Sequence, residues 1–108
     1  GPGATVRSGD EPIAVALRPA PDQFALKKGY PNPTTDRSTI EYAVPEQTEV
    51  TLEVYDVLGR RVATLVDDQK RAGRYSTRLN ANRLSSGTYF YRLRAGDFTK
   101  TRRLVIVR

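Results

Sequence analysis

The chain has 108 residues and a mass of 12.1 kDa, enough for one domain and too little for two. With 38% apolar and 28% charged residues it fits a globular module with a modest core, and its complete lack of Cys and His excludes disulfides, thiolate metal sites and every Ser-His-Asp or Cys-His reaction centre. The net charge of +6 is polarised: residues 1–56 carry five Lys/Arg against nine Asp/Glu, and residues 57–108 carry thirteen against three.

The opening Gly1-Pro2-Gly3, with no initiator Met, reads as the remnant of a cleaved tag. Residues 1–22 are rich in Gly, Pro, Asp and Ser and read as a flexible linker, with Ile13 to Leu17 as an optional edge strand. From residue 23 to 108 the pattern is β. Ser38 to Val44 alternates with Ile40, Tyr42 and Val44 on one face, and Pro45 ends the run because it cannot donate to a ladder. Val50 to Asp56 alternates more cleanly, with Val50, Leu52 and Val54 facing in and Glu53 out.

Asp56 to Arg60 forms a turn in which Gly59 supplies a positive φ, and Val62 to Val66 is predicted as the short return strand. Asp67 to Gly73 reads as a polar loop, with room for a single helical turn over Asp67–Ala72. Gly73 then opens a strand through Tyr75, Thr77 and Leu79, and a second loop runs from Asn80 to Gly87. The strongest hairpin signal follows: Thr88 to Arg94, a turn at Ala95-Gly96-Asp97, and a return from Phe98 to Val107. About seven short strands without a convincing helix predict an all-β fold, an antiparallel immunoglobulin-like β-sandwich. Gly59, Gly73, Gly87 and Gly96 are read as structural turn residues. The chain ends at Arg108 directly after an apolar run, which reads as a true C-terminus.

Few residues carry chemistry. Asp67 and Asp68 are adjacent and lack the spacing of a cation loop, so a solvated turn is the better reading. Glu41 and Glu53 are possible neighbours on adjacent strands but lie on outward faces, not in a cleft. None of the glycines joins a strand to a helix, so no phosphate-cradling loop is expected. No catalytic, metal or cofactor site is predicted, and no stretch approaches the roughly 20 apolar residues of a membrane-spanning helix.

Phe90, Arg92 and Arg94 share a strand face, with Arg102 and Arg103 on the partner strand, an arrangement compatible with tracking a nucleic-acid backbone. The same pattern is common on exposed antiparallel faces, and nucleic acid is not the expected partner. The basic half suits an acidic protein surface, an acidic polysaccharide or anionic lipid, or simply a solvated face. The last segment leaves three readings open: a strand covered on both faces, a peptide read by another protein, or an edge that pairs with a partner.

Several segments in series resemble a known family. Phe24-Ala25-Leu26 with Tyr30-Pro31-Asn32-Pro33, then Val54 to Val62, Leu65-Val66-Asp67, Ala72-Gly73-Arg74-Tyr75, Ser86 to Leu93, and Lys100 to Arg108 together resemble the type A C-terminal sorting domain of the type IX secretion system. The resemblance extends to the immunoglobulin-like domain of flagellar hook-capping proteins. Two elements differ from the usual family pattern: Thr34-Thr35-Asp36-Arg37 stands where Phe-Asn-Pro-Ser is common, and Leu79-Asn80-Ala81 where Trp-Asp-Gly is common.

The resemblance implies a non-enzymatic export signal. A cargo would pass through the periplasm, be recognised at the outer-membrane secretion translocon, be cut by a surface sortase within the linker, and end at the cell surface or outside the cell. The implied recognition segment is Lys100, Thr101, Arg102, Arg103, Leu104, Val105, Ile106, Val107 and Arg108, on a domain that is monomeric in isolation and does not insert into membranes. The alternative is an accessory carbohydrate-binding module, for which Tyr55 and Phe90 are the best exposed aromatics, or a structural assembly module.

Overall fold

The computed structural model describes residues 20–108. Seven strands follow in order: β1 (Ala25–Leu26), β2 (Arg37–Val44), β3 (Thr48–Tyr55), β4 (Arg61–Lys70), β5 (Gly73–Asn80), β6 (Gly87–Ala95) and β7 (Phe98–Ile106). They form two antiparallel sheets, β1-β2-β5 and β4-β3-β6-β7, and the described residues contain no helix. The all-β antiparallel sandwich expected from the alternating pattern is what the chain adopts. The optional strand at Ile13 to Leu17 lies outside the described residues.

Alternation fixes the core. Ile40, Tyr42 and Val44 from one sheet face Val50, Leu52, Val54, Tyr91, Leu93, Leu104 and Ile106 from the other, all of them buried. Removing this apolar surface from water is the main driving force for assembling the two sheets, at roughly 25 cal/mol per Å² buried. Tyr91 also ties the sheets together: its hydroxyl donates to the Lys27 carbonyl (3.1 Å) and accepts from the Gly29 N–H (2.7 Å). Burial raises the pKa of this phenol, and it pushes that of Tyr42, stacked on Tyr75, up to about 12.

The fourth strand is twice as long as predicted. It runs to Lys70, pairing Asp67, Asp68 and Gln69 with Thr51, Val50 and Glu49, so the expected polar loop shrinks to Arg71-Ala72 and the helical turn does not exist. The sequence signal failed because β4 is an edge strand wetted along most of its length, and bulges opposite Leu52/Glu53 and Val54/Tyr55 break its two-residue period. Glu41 and Glu53, possible neighbours by sequence, sit on different sheets. Gly59 and Gly96 have φ of +82° and +59°, the left-handed region that Gly enters without steric cost. Gly73 does not share this property: its φ is negative, and a Cβ there would make only ordinary contact with the Tyr75 ring.

Candidate functional site

The terminal strand is a core strand before it is anything else. Its register against β6 pairs Gly87 with Ile106, Tyr89 with Leu104 and Phe90 with Arg103. Leu104 and Ile106 therefore point into the sandwich and are fully buried, while Val105 is half-covered and Val107 is exposed. Leu104–Ile106 is therefore a paired strand packed against the core.

The other edge of this strand is covered over its second half by the Tyr30–Thr35 segment. Asn32 places its side-chain amide as a surrogate strand residue: Nδ2 donates to the Arg103 carbonyl and Oδ1 accepts from the Val105 N–H, both at 3.0 Å. Thr34 continues the seal, its N–H donating to the Val105 carbonyl and its own carbonyl accepting from the Val107 N–H, both at 2.9 Å. The bridge between Thr34 and Ile106 is parallel. The peptide bonds preceding Pro31 and Pro33 are both cis. Buried Thr34 also bonds the Arg37 carbonyl through Oγ1 (2.6 Å), which fixes the segment where it enters β2.

Upstream the edge is open: among the described residues no hydrogen bond reaches the outward backbone groups of Thr99 or Thr101. The strand is thus sealed from Arg103 onward and available before it.

The charged residues of the segment divide by face. Arg102 pairs in register with buried Tyr91 and donates through Nε to the Leu26 carbonyl (2.6 Å), closing the gap between the sheets. Arg103 lies opposite Phe90 on the outer face and is exposed. Arg108 lays its guanidinium on the Ala81 and Leu84 carbonyls and reaches the Thr35 carbonyl at 3.4 Å. Lys100 and Thr101 are exposed.

A second polar cluster, which sequence reading missed, lies on the outer face of the same sheet. Glu53, read as a solvent-facing residue, is 9% exposed. It accepts from the Tyr55 hydroxyl (2.7 Å) and from Arg61 (3.0 Å), and Arg92 lies at 4.0 Å. The Tyr55 bond, with these two guanidinium groups, holds the Glu53 carboxyl below its ordinary pKa. Arg92 lies over the Tyr55 ring, 4.7 Å from its centre, and donates to the Tyr55 hydroxyl. Tyr55 and Phe90, the best candidates for a glycan platform, are register partners, but both are half-buried and Arg92 covers the Tyr55 ring. The signal available in sequence was the cross-strand set Glu53, Tyr55 and Arg92, legible only once the β3–β6 register is known.

The β3–β4 hairpin tip is similarly built around one carboxylate. Asp56 Oδ1 accepts from the Leu58 and Arg60 N–H groups (2.9 Å each), and Oδ2 from Arg60 Nε (2.8 Å). These bonds, led by the Arg60 backbone N–H, lower the Asp56 pKa. Among the described residues no cluster of three or more carboxylates is placed to hold a metal.

A sealed terminal strand, an Asn-Pro segment that braces it and an ordered Asp-Val-Leu-Gly-Arg tip are the main features of this β-sandwich. The chain belongs to the family described as secretion system C-terminal sorting domain, which matches residues 28–107, the sorting signal of type IX secretion. The match spans the Asn32 brace, the tip and the whole of the terminal strand. Membership implies a secreted or cell-surface protein that interacts with the secretion machinery. No curated protein matches the chain.

Proposed function

We propose that the domain is a non-catalytic address that delivers a cargo, through the periplasm, to the outer-membrane type IX translocon. In this reading Lys100–Arg108 is the part the translocon reads, the linker over residues 1–22 is cut by a surface sortase, and the cargo is then attached at the cell surface or released. The observation that carries the reading is the family match over residues 28–107. The accessible parts of the segment are the open edge at Thr99 and Thr101 and the outward side chains of Arg103, Val105 and Val107, which suits strand addition flanked by charge contacts. Leu104 and Ile106 contribute by holding that strand in place.

The test is export of a fluorescent cargo carrying an inner-membrane signal peptide and fused to the whole chain, in a bacterium that possesses the pathway. The fusion is expected outside the cell and the cargo without the chain in the periplasm. Periplasmic retention of a fusion whose domain is folded would overturn the reading. Arg103→Ser is the clean probe of the charge contact, since Arg102→Ser also breaks the bond to Leu26. Undiminished export of the Arg103 variant would remove that residue from the recognised surface. The mass of the released cargo locates any cut.

A further inference from the structure

Among the described residues five large apolar side chains are exposed, and four of them, Val57, Leu58, Val62 and Val107, lie at the same end of the sandwich. The register places them there: Tyr55 pairs with Arg61 and Phe90, and Gly87 with Ile106, so the β3–β4 tip and residues 107–108 emerge at the same end of the sheet, with β6 between them. Val57 and Leu58 are 65% and 73% exposed. The fold does not need their side chains, because the tip is ordered by Asp56 and by the positive φ of Gly59. Beside the tip opens a groove of roughly 530 Å³, floored by Ala63, Leu79 and Leu84, with Arg83 at its rim.

We propose that this end is a docking surface for a protein partner that offers an apolar socket with an acidic rim, the Val57–Leu58 tip being the knob and the groove its neighbouring recess. The proposal rests on the sorting reading, to which it adds a second recognised element outside Lys100–Arg108.

Three observations select this occupant. The carboxylates nearest the tip are engaged within the domain, Asp56 by Arg60 and Glu53 by Arg61, and they are covered while the Arg60 and Arg61 side chains stay 72% and 61% exposed. Arg83 has no ion-pair partner among the described residues. The two pairs balance in charge, so the excess positive charge at the rim is that of Arg83, and it favours an acidic counterpart. A second copy of the chain would bring the same positive rim against itself. A bilayer matches an apolar tip but has nothing to place in the groove, whereas a protein partner fills both. The tip is already ordered, so little freedom is lost when it is seated.

The experiment uses the whole-chain cargo fusion and compares Val57→Ser/Leu58→Ser with Glu46→Ser/Gln47→Ser at the opposite end. The tip variant is expected to lower export at least about tenfold, as removal of a central apolar contact does, with an unchanged melting temperature. The control is expected to export normally. Arg83→Glu tests the rim and needs no change at the tip, so it remains informative if the tip variant unfolds; it too is expected to reduce export. If the parental fusion is exported and both the tip and Arg83 variants match it, the docking surface is wrong and the sorting reading stands. If the parental fusion is not exported, the sorting reading fails and this proposal with it. Tip-dependent sedimentation of the domain with phosphatidylglycerol vesicles would overturn the protein partner in favour of lipid, and a tip-dependent dimer in sedimentation velocity would overturn it in favour of a second copy.

Discussion

At one end of the sandwich the chain turns at residues 45–47, 71–72 and 96–97, with Pro45, Glu46, Gln47, Arg71, Gly96 and Asp97 among the turn residues and no large apolar side chain exposed. At the other end the 56–60 tip, the 81–86 loop and residues 107–108 meet, and exposed Val57, Leu58, Val62 and Val107 gather there. Both ends face the same problem of returning a strand with its backbone groups satisfied. The first uses short polar turns. The second uses longer segments fixed by Asp56 and Arg108, and leaves apolar side chains in water that a purely structural end would lack. These exposed side chains add nothing to the core, and they are what the proposed partner would cover.

The largest expected effect tests whether the terminal strand belongs to the core. Leu104→Ala should lower the unfolding free energy by about 3 kcal/mol, the usual cost of a cavity at a fully buried site, as read by urea denaturation. A loss under about 1 kcal/mol would make the strand detachable and the two ends alike. Next, Tyr91→Phe removes the hydroxyl that joins the sheets and strands the buried Gly29 N–H. About 1–3 kcal/mol should be lost, measured the same way. At the polar end, Gly96→Ala forces an L side chain to φ +59° and should cost about 1 kcal/mol with export unchanged. An export defect there would break the contrast.

Acid acts on the other end. Asp56 and Glu53 both titrate below their ordinary values, so the stability they contribute is complete above those values and is lost as pH falls through their lowered pKa. Amide exchange at Leu58 and Arg60 should therefore accelerate below about pH 4 relative to Gly96 and Asp97, after correction for intrinsic rates. The smallest effect is on the stability of Val57→Ser/Leu58→Ser, expected within about 0.5 kcal/mol of the parent. A loss above about 2 kcal/mol would make the tip structural and remove the argument for a partner.

Much of this fold was legible because one face of most strands is buried. Ile40, Tyr42 and Val44, and again Val50, Leu52 and Val54, alternate as a half-buried sheet requires. β4 was misread where that condition fails: Asp67, Asp68 and Gln69 are wet, so nothing in their pattern records the backbone pairing they make. The family resemblance singled out Tyr30-Pro31-Asn32-Pro33, but no local rule foretells that Asn32 will bond a strand 71 residues later. Non-local edge contacts leave no period. Arg102 and Arg103 looked equivalent as a basic pair until the β-strand alternation sent one between the sheets and the other to solvent.

The brace made by Asn32 and Thr34 on Val105 and Val107 has a temporal consequence. The partners of residues 32–34 lie 71 or 73 residues further along the domain, and Leu104 and Ile106 complete the core only when that segment has been made. Contacts of such large sequence separation are slow to form. A chain still being made, or one broken off short of residue 104, cannot close its sandwich. Closure of the sandwich therefore requires both extremes of the domain together, and a domain cut short of Leu104 would lack the surface they form.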